Sequence, residues 1–185
     1  MKLSSAIILF GLYLIFTNSN ANEKSKIKNK LKNIDNIQFK FTQKINENIE
    51  RGICVLVFPN KLKCNYEDKN KKELIINKKM MAITQKRYGK TLFYPLSKST
   101  FINILSKDEL IKIINESNTF IDDYFNIIFM NEVNSKTLIR FDKENFLLAG
   151  WVSSDQYNNQ INFEIEIISV NQMINNDIFT LPSKS

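Results

Sequence analysis

From Ile37 onward, apolar and polar positions alternate along most of the chain. Ile37, Phe39 and Phe41 face one way and Gln38, Lys40 and Thr42 the other, the two-residue period of a strand with one buried face. The same rhythm predicts strands over IQFKFTQKI (37–45), GICVLVF (52–58), KLKCNY (61–66), ELIIN (73–77), MMAITQ (80–85) and TLFYPL (91–96). In the second of these, Cys54, Leu56 and Phe58 share a face. Val55 and Val57 make the other face apolar too, so this strand is expected to be covered on both sides. Pro59-Asn60 is a turn signal between the second and third strands, and Asn77-Lys78 is the expected bend of the next hairpin.

Helical spacing interrupts the rhythm three times. Ile27, Leu31 and Ile34 form one apolar stripe on an otherwise charged segment, 23–35. Phe101, Ile104 and Leu105 repeat at helical spacing in 98–105, and Leu110, Ile111 and Ile114 do so in 107–115. Both helices are too short to be stable without tertiary packing. After Asn118 strands return at 124–130, 137–141, 146–152 and 161–167, the last with Ile161, Phe163, Ile165 and Ile167 on one face. No composition break, long linker or fixed-period repeat divides the chain. The pattern describes one α+β domain over residues 22–185, in which a curled sheet presents an apolar trough and short helices cover it.

Residues 1–21 stand apart. Lys2, the apolar run Ala6–Phe16 and the polar stretch ending in Ser19 and Ala21 predict a secretory signal peptide cleaved after Ala21. The run is well short of the ~20 apolar residues that span a bilayer. The expected mature protein is soluble and periplasmic. The formal charge of +7 could steer it towards anionic headgroups or an acidic partner. Because Lys, Asn and Ile are abundant throughout, this charge reads as a composition bias rather than a local patch. Nucleic acid is not an expected partner, since no aromatic-basic module is present.

The chain contains no histidine, which removes Ser-His and Cys-His catalysis and most zinc sites. It has four glycines, with neither a nucleophile elbow nor a phosphate loop among them. The carboxylate pairs Asp122-Asp123 and Glu164/Glu166 are the sites where hydrolytic chemistry could be sought, but Glu164 and Glu166 alternate with apolar residues and read as a solvent face. No enzyme, cofactor or metal is expected. The two cysteines, Cys54 and Cys64, flank a tight turn and fall on neighbouring antiparallel strands. Directly opposed Cα atoms lie about 4.5 Å apart in a non-hydrogen-bonded pair, within disulfide range. An oxidising compartment favours closure, whereas a register slip of one residue would leave two buried thiols.

Short motifs in a fixed order add a resemblance. Phe39, Phe41 and Gln43 on the first strand come first, followed by Gly52 through Tyr66 with Pro59 at the turn. Leu74-Ile75-Ile76 and Tyr94-Pro95-Leu96 come next, with Leu105 ending an apolar helix. Gly150-Trp151-Val152 with Asp155, and finally Asp177, Phe179 and Pro182, complete the set. Together these resemble the periplasmic lipoprotein carrier family, LolA, especially the versions typical of alphaproteobacteria. The resemblance implies a strongly curved, incompletely closed antiparallel β-barrel with short helices forming a lid over an apolar cavity. It also implies a carrier of acylated lipoproteins, loaded by an ATP-driven release complex of the inner membrane and unloaded at a receptor of the outer membrane.

Combining resemblance and alternation, the expected acyl-chain cavity is Phe39, Phe41, Leu56, Phe58, Leu62, Tyr66, Met81 and Ile83. The expected lid residues are Phe101, Ile104, Leu105 and Ile111. A monomer is expected. Three departures from the family pattern stand out. Phe58 occupies the place before the hairpin proline where many members carry an arginine that fastens the lid. Asn77-Lys78 replaces an Asp-Gly bend, and Cys64 stands where an aromatic residue is more common. The alternative functions are an outer-membrane receptor of the same fold, which would itself need a lipidated Cys, and a periplasmic sensor or regulatory module.

Overall fold

The computed structural model describes residues 18–98, 103–130, 136–154 and 157–183. Most of the expected signal peptide, and Phe101, lie outside the described residues. The chain opens with α1 (Asn18–Lys32), then runs through β1 (Asn36–Ile45), β2 (Asn48–Val57), β3 (Lys61–Tyr66), β4 (Lys72–Asn77), β5 (Met80–Gln85) and β6 (Lys90–Pro95). The helix α2 (Lys107–Glu116) follows, then β7 (Asn118–Ile121), β8 (Phe125–Met130), β9 (Lys136–Phe141), β10 (Leu148–Ser154) and β11 (Gln160–Val170).

All eleven strands form one antiparallel sheet in the order β6-β5-β4-β3-β2-β1-β11-β10-β9-β8-β7. The topology explains where a lid must be. The chain starts in the middle of the sheet at β1 and steps outward by hairpins to one edge, β6. It then crosses to the opposite edge, β7, and steps back until β11 pairs with β1. The described parts of the crossing segment, 96–98 and 103–117, lie over the concave side of the curled sheet. Leu96, Ile104, Leu105, Leu110 and Ile114 bury themselves on the way. The result is a strongly curved, open antiparallel barrel with helices on its concave face.

Local chemistry sets the elements. Ser106 caps α2, its hydroxyl accepting from the Glu109 amide at 3.4 Å, and Asp108 and Glu109 complement the helix dipole in the first turn. Asn46, Asn60, Asn158 and Asn171 all adopt positive φ. In a chain with four glycines, asparagine supplies four of the seven non-glycine positive-φ positions among the described residues, because its short amide tolerates that region. The second hairpin bends one residue later than expected. Asn77 stays in register with Met80, and the left-handed residue is Lys78 (φ 56°), with Lys79 completing the turn. The Asn77 amide nitrogen instead donates to the Phe179 carbonyl at 3.1 Å.

Two other expectations change. Of the expected helix over 98–105, Lys98 closes the 3-10 turn Leu96–Lys98, and 99–102 lie outside the described residues. Asn118–Ile121, not foreseen as a strand, pairs with β8 because the crossing chain must dock on the sheet edge before turning back. On β2, Val55 and Val57 are half-buried rather than fully covered. The convex side is fully buried further along, at Ile75 of β4 and Ala82 of β5. There the C-terminal strap, a 3-10 turn over Asn176–Phe179, lies on β3 and β4, with Phe179 completely buried. This small second core is separate from the main one.

Candidate functional site

The concave face is built by one side-chain row per strand. Ile37, Phe39 and Phe41 of β1 stand beside Leu56 and Cys54 of β2 on one flank and Ile165 and Ile167 of β11 on the other. Leu62 continues the row on β3, and Trp151 of β10 follows Phe163 of β11. Ile104 and Leu105 of the crossing segment press down on this floor. Where they meet it, Ile37, Phe39, Leu56, Leu62, Leu148, Trp151, Ile165 and Ile167 enclose a seam with no polar atom on its surface. Its volume is about 10 Å³, room for about one water. The seam is therefore closed by side-chain packing.

What holds it closed is slight. The Asn60 amide donates to the Leu105 carbonyl at 3.0 Å, and the Leu96 amide to the Lys79 carbonyl at 2.8 Å. Lys107 approaches Asp35 at 3.5 Å and lies 5.8 Å from the Phe58 ring. Phe58 itself is half-buried at the hairpin tip, its amide held by the Asp35 carbonyl at 2.9 Å. A backbone hydrogen bond and apolar packing thus fasten the crossing segment next to the position where an arginine was missing.

Four aromatic rings cross the floor beside the seam. Tyr66 meets Phe41 edge-on at 5.0 Å, Phe41 stacks on Phe163 at 5.1 Å, and Phe163 stacks on Trp151 at 4.0 Å. Gly52 makes room for them, since a side-chain carbon there would meet the Asn65 carbonyl and the Phe41 ring. Beyond the rings the concave face turns polar. The Lys72 ammonium sits 3.9 Å from the Tyr66 ring centre and pairs with Glu50, which also accepts from Gln43. Burial, then the charges of Glu50 and Asp68, hold the Tyr66 phenol above its ordinary range.

Cys54 and Cys64 are directly paired across β2 and β3 and joined by a disulfide, with Cα atoms 4.1 Å apart. It is buried in the floor, one position from Phe39.

The predicted residues therefore separate into groups. Phe39, Leu56, Leu62, Ile104 and Leu105 come together at the seam. Phe41 and Tyr66 belong to the aromatic row. Met81 and Ile83 lie on β5, half-buried against the core, and face the same way as Tyr94 and Leu92 of β6. Those two are 40% and 46% exposed, so the apolar floor continues uncovered to the sheet edge. Ile111 is half-exposed; the buried face of α2 runs through Leu110 and Ile114. Sequence reasoning missed Trp151, Leu148, Ile165, Ile167 and Ile37 as seam residues. The alternation of β11 was visible, but not its pairing with β1.

Two larger clefts are chemically unlike the seam. One, of about 620 Å³ between α2 and β8, is lined by Glu109, Lys112, Glu116 and Lys136 along with Phe129 and Met130. The other, of about 570 Å³, presents Lys40, Arg51, Glu67, Glu164 and Glu166. Charged rims of this kind keep water in place and suit an acyl chain poorly. Asp122 accepts from the Tyr124 amide at 2.8 Å and the Asn126 side chain at 2.7 Å, the work of a turn residue. Those hydrogen bonds hold its carboxyl below the ordinary range. Glu164 and Glu166 are exposed, as their alternation implied.

The fold is shared with a solved structure of very different sequence. An uncharacterized conserved protein from Thermus thermophilus superposes with a TM-score of 0.55 at 6% identity, covering 89% of this chain and 94% of that one. A LolA superfamily protein from Nitrosomonas europaea gives 0.45 at 8% identity, covering 88% and 97%. LprF from Mycobacterium bovis gives 0.47 at 13% identity, covering 84% and 94%. No curated protein matches the chain in sequence. The family model described as outer membrane lipoprotein carrier protein LolA matches residues 32–182, from the end of α1 to the C-terminal strap, and the chain belongs to that family.

Proposed function

We propose that the protein is a periplasmic carrier that takes the acyl chains of lipoproteins into the seam beneath Ile104 and Leu105. It would travel as a monomer of residues 22–185, freed of its leader. It would load at an ATP-driven release complex of the inner membrane and unload at an outer-membrane receptor. The observation that carries this reading is the seam itself: ten apolar side chains, no polar atom on its surface, and a cover that, among the described residues, is fastened by few directional bonds.

The energetics fit such a task. Each exposed methylene costs about 0.8 kcal/mol, so an ordinary acyl chain in water costs roughly 10 kcal/mol. A carrier must offset that cost and still release the chain without chemistry of its own. Packing by Leu, Ile and Phe is non-directional and reversible, and the cover can give way without breaking an ion network. The uncovered strip of Leu92 and Tyr94 lets a chain longer than the seam extend along the same floor.

Native mass spectrometry of the protein purified from the periplasm of lipoprotein-producing cells tests this. A one-to-one complex with an acylated lipoprotein, lost in Leu56→Asp, is the expected result. An unliganded protein that also takes nothing from inner-membrane vesicles supplied with the release complex and ATP would sink the proposal.

A further inference from the structure

The positive charge of this protein is local, not spread. Of the formal net charge of +7, Lys2 carries one and residues 23–32 carry four, leaving two for everything after Lys32. Those four sit on α1. Lys24, Lys26, Lys28, Lys30 and Lys32 stand against the single acid Glu23. The helix spends its apolar stripe, Ile27 and Leu31, on the core, and over 21–32 what remains outside is Lys, Asn and Ser with Ala21 and the one acid, Glu23.

The lysines are poorly neutralised. Lys26 pairs with Glu23 at 2.9 Å. Lys24 and Lys28 reach α2 and its end, but they donate to neutral oxygens, the Ser117 carbonyl at 2.9 Å and the Asn115 amide at 2.8 Å. Those bonds fix two ammonium groups in place without cancelling them. Lys30 and Lys32 are exposed, and among the described residues no carboxylate lies within ion-pair distance of either.

We infer that this face of α1 is a docking surface for anionic phospholipid in a bilayer. The occupant follows from what the face lacks. Stable protein interfaces anchor on buried aromatic or aliphatic side chains, and this half of α1 offers none. Recognition must rest on charge alone, which is how polybasic segments hold a membrane surface: each Lys contributes separately and the contact is reversible. Position also fits. α1 packs on α2, and α2 begins directly after the Ile104–Leu105 cover. Attachment through α1 therefore brings the cover close to the bilayer. The inference does not depend on what the seam binds.

The test is co-sedimentation of the protein purified from the periplasm with two kinds of vesicle, phosphatidylcholine alone and phosphatidylcholine containing one-third phosphatidylglycerol. At low salt it should bind the anionic vesicles and leave the neutral ones. Binding should disappear at 1 M salt, where the Debye length is about 3 Å. Lys30→Gln with Lys32→Gln should weaken it about 25-fold, at roughly fivefold per lysine. The matched control, Lys69→Gln with Lys71→Gln, removes the same charge from the exposed β3–β4 connection at the far end of those strands and should leave binding within about twofold of the parent. Circular dichroism confirms that both variants are folded. Equal binding to both vesicles, equal loss in the two double variants, or no loss in the α1 variant would each overturn the assignment.

Discussion

Leu105→Ala separates a cover from an ordinary core position. Leu105 is 1% exposed and forms part of the roof of the seam. Truncating such a leucine costs about 2–5 kcal/mol in stability. In a plain core that loss is the whole effect, and a damaged site binds its ligand less well. If Leu105 closes a carrier, part of the loss falls on the closed arrangement alone. With about 2 kcal/mol removed from the closed form, the closed-to-open ratio falls by about 30-fold. Affinity for a chain that binds only the open form rises by up to the same factor. Trp151 is the single tryptophan, and it lines the seam. Its emission, titrated with a palmitoylated peptide, reports occupancy without a label. The expected result is a lower urea midpoint together with tighter binding. A lower midpoint with unchanged or weaker binding would refute the view that Leu105 acts as a cover.

Other perturbations address single elements. Cys54→Ala with Cys64→Ala frees a loop spanning ten residues in the unfolded chain and should cost about 2–3 kcal/mol, read as a urea midpoint shift that reductant reproduces in the parent. Phe179→Ala empties the small convex core and should cost about 3–5 kcal/mol, while acyl binding by the folded fraction stays the same, since Phe179 lies on the other side of the wall. Glu73 sets a pH dependence. Burial alone would raise its carboxyl, but hydrogen bonds from Lys86 at 2.7 Å and Lys63 at 3.1 Å outweigh that and hold it below its ordinary value of 4.5. Its contribution is therefore fully present above pH 4.5 and is lost as the pH falls through the lowered value. Urea midpoints measured below pH 5 should decline less steeply in Glu73→Gln than in the parent.

Much of the wall was legible because its strands have one wet face. Lys61–Tyr66 and Met80–Gln85 fall where alternation put them, and of the two registers left open between β2 and β3 the structure has the one that opposes the cysteines directly. Pairing between distant segments was not legible. Nothing in INFEIEI says that Ile165 will stand beside Phe41, because that contact follows from the chain returning to its own first strand. The seam was accordingly half-read: Phe39, Leu56 and Leu62 were foreseen, Trp151 and Ile167 were not. The extent of opening was also out of reach, since the same apolar residues line a trough or fill it. At Asn77 a local rule was overridden by tertiary context. Its amide is engaged by the C-terminal strap, so the left-handed position passed to Lys78.

The strap has a mechanical consequence. Between β3 and β5 the wall has side chains packed on both of its faces, whereas the edge strands β6 and β7 each lack a neighbour on one side. Amide protons of β3 and β4 should therefore exchange with deuterium only through global unfolding, and those of β6 and β7 through local fraying. Such a gradient makes one side of the barrel a stiff backstop. Any widening that admits a guest then has to come from the crossing segment and the free edges, and never from the strands the C-terminus pins.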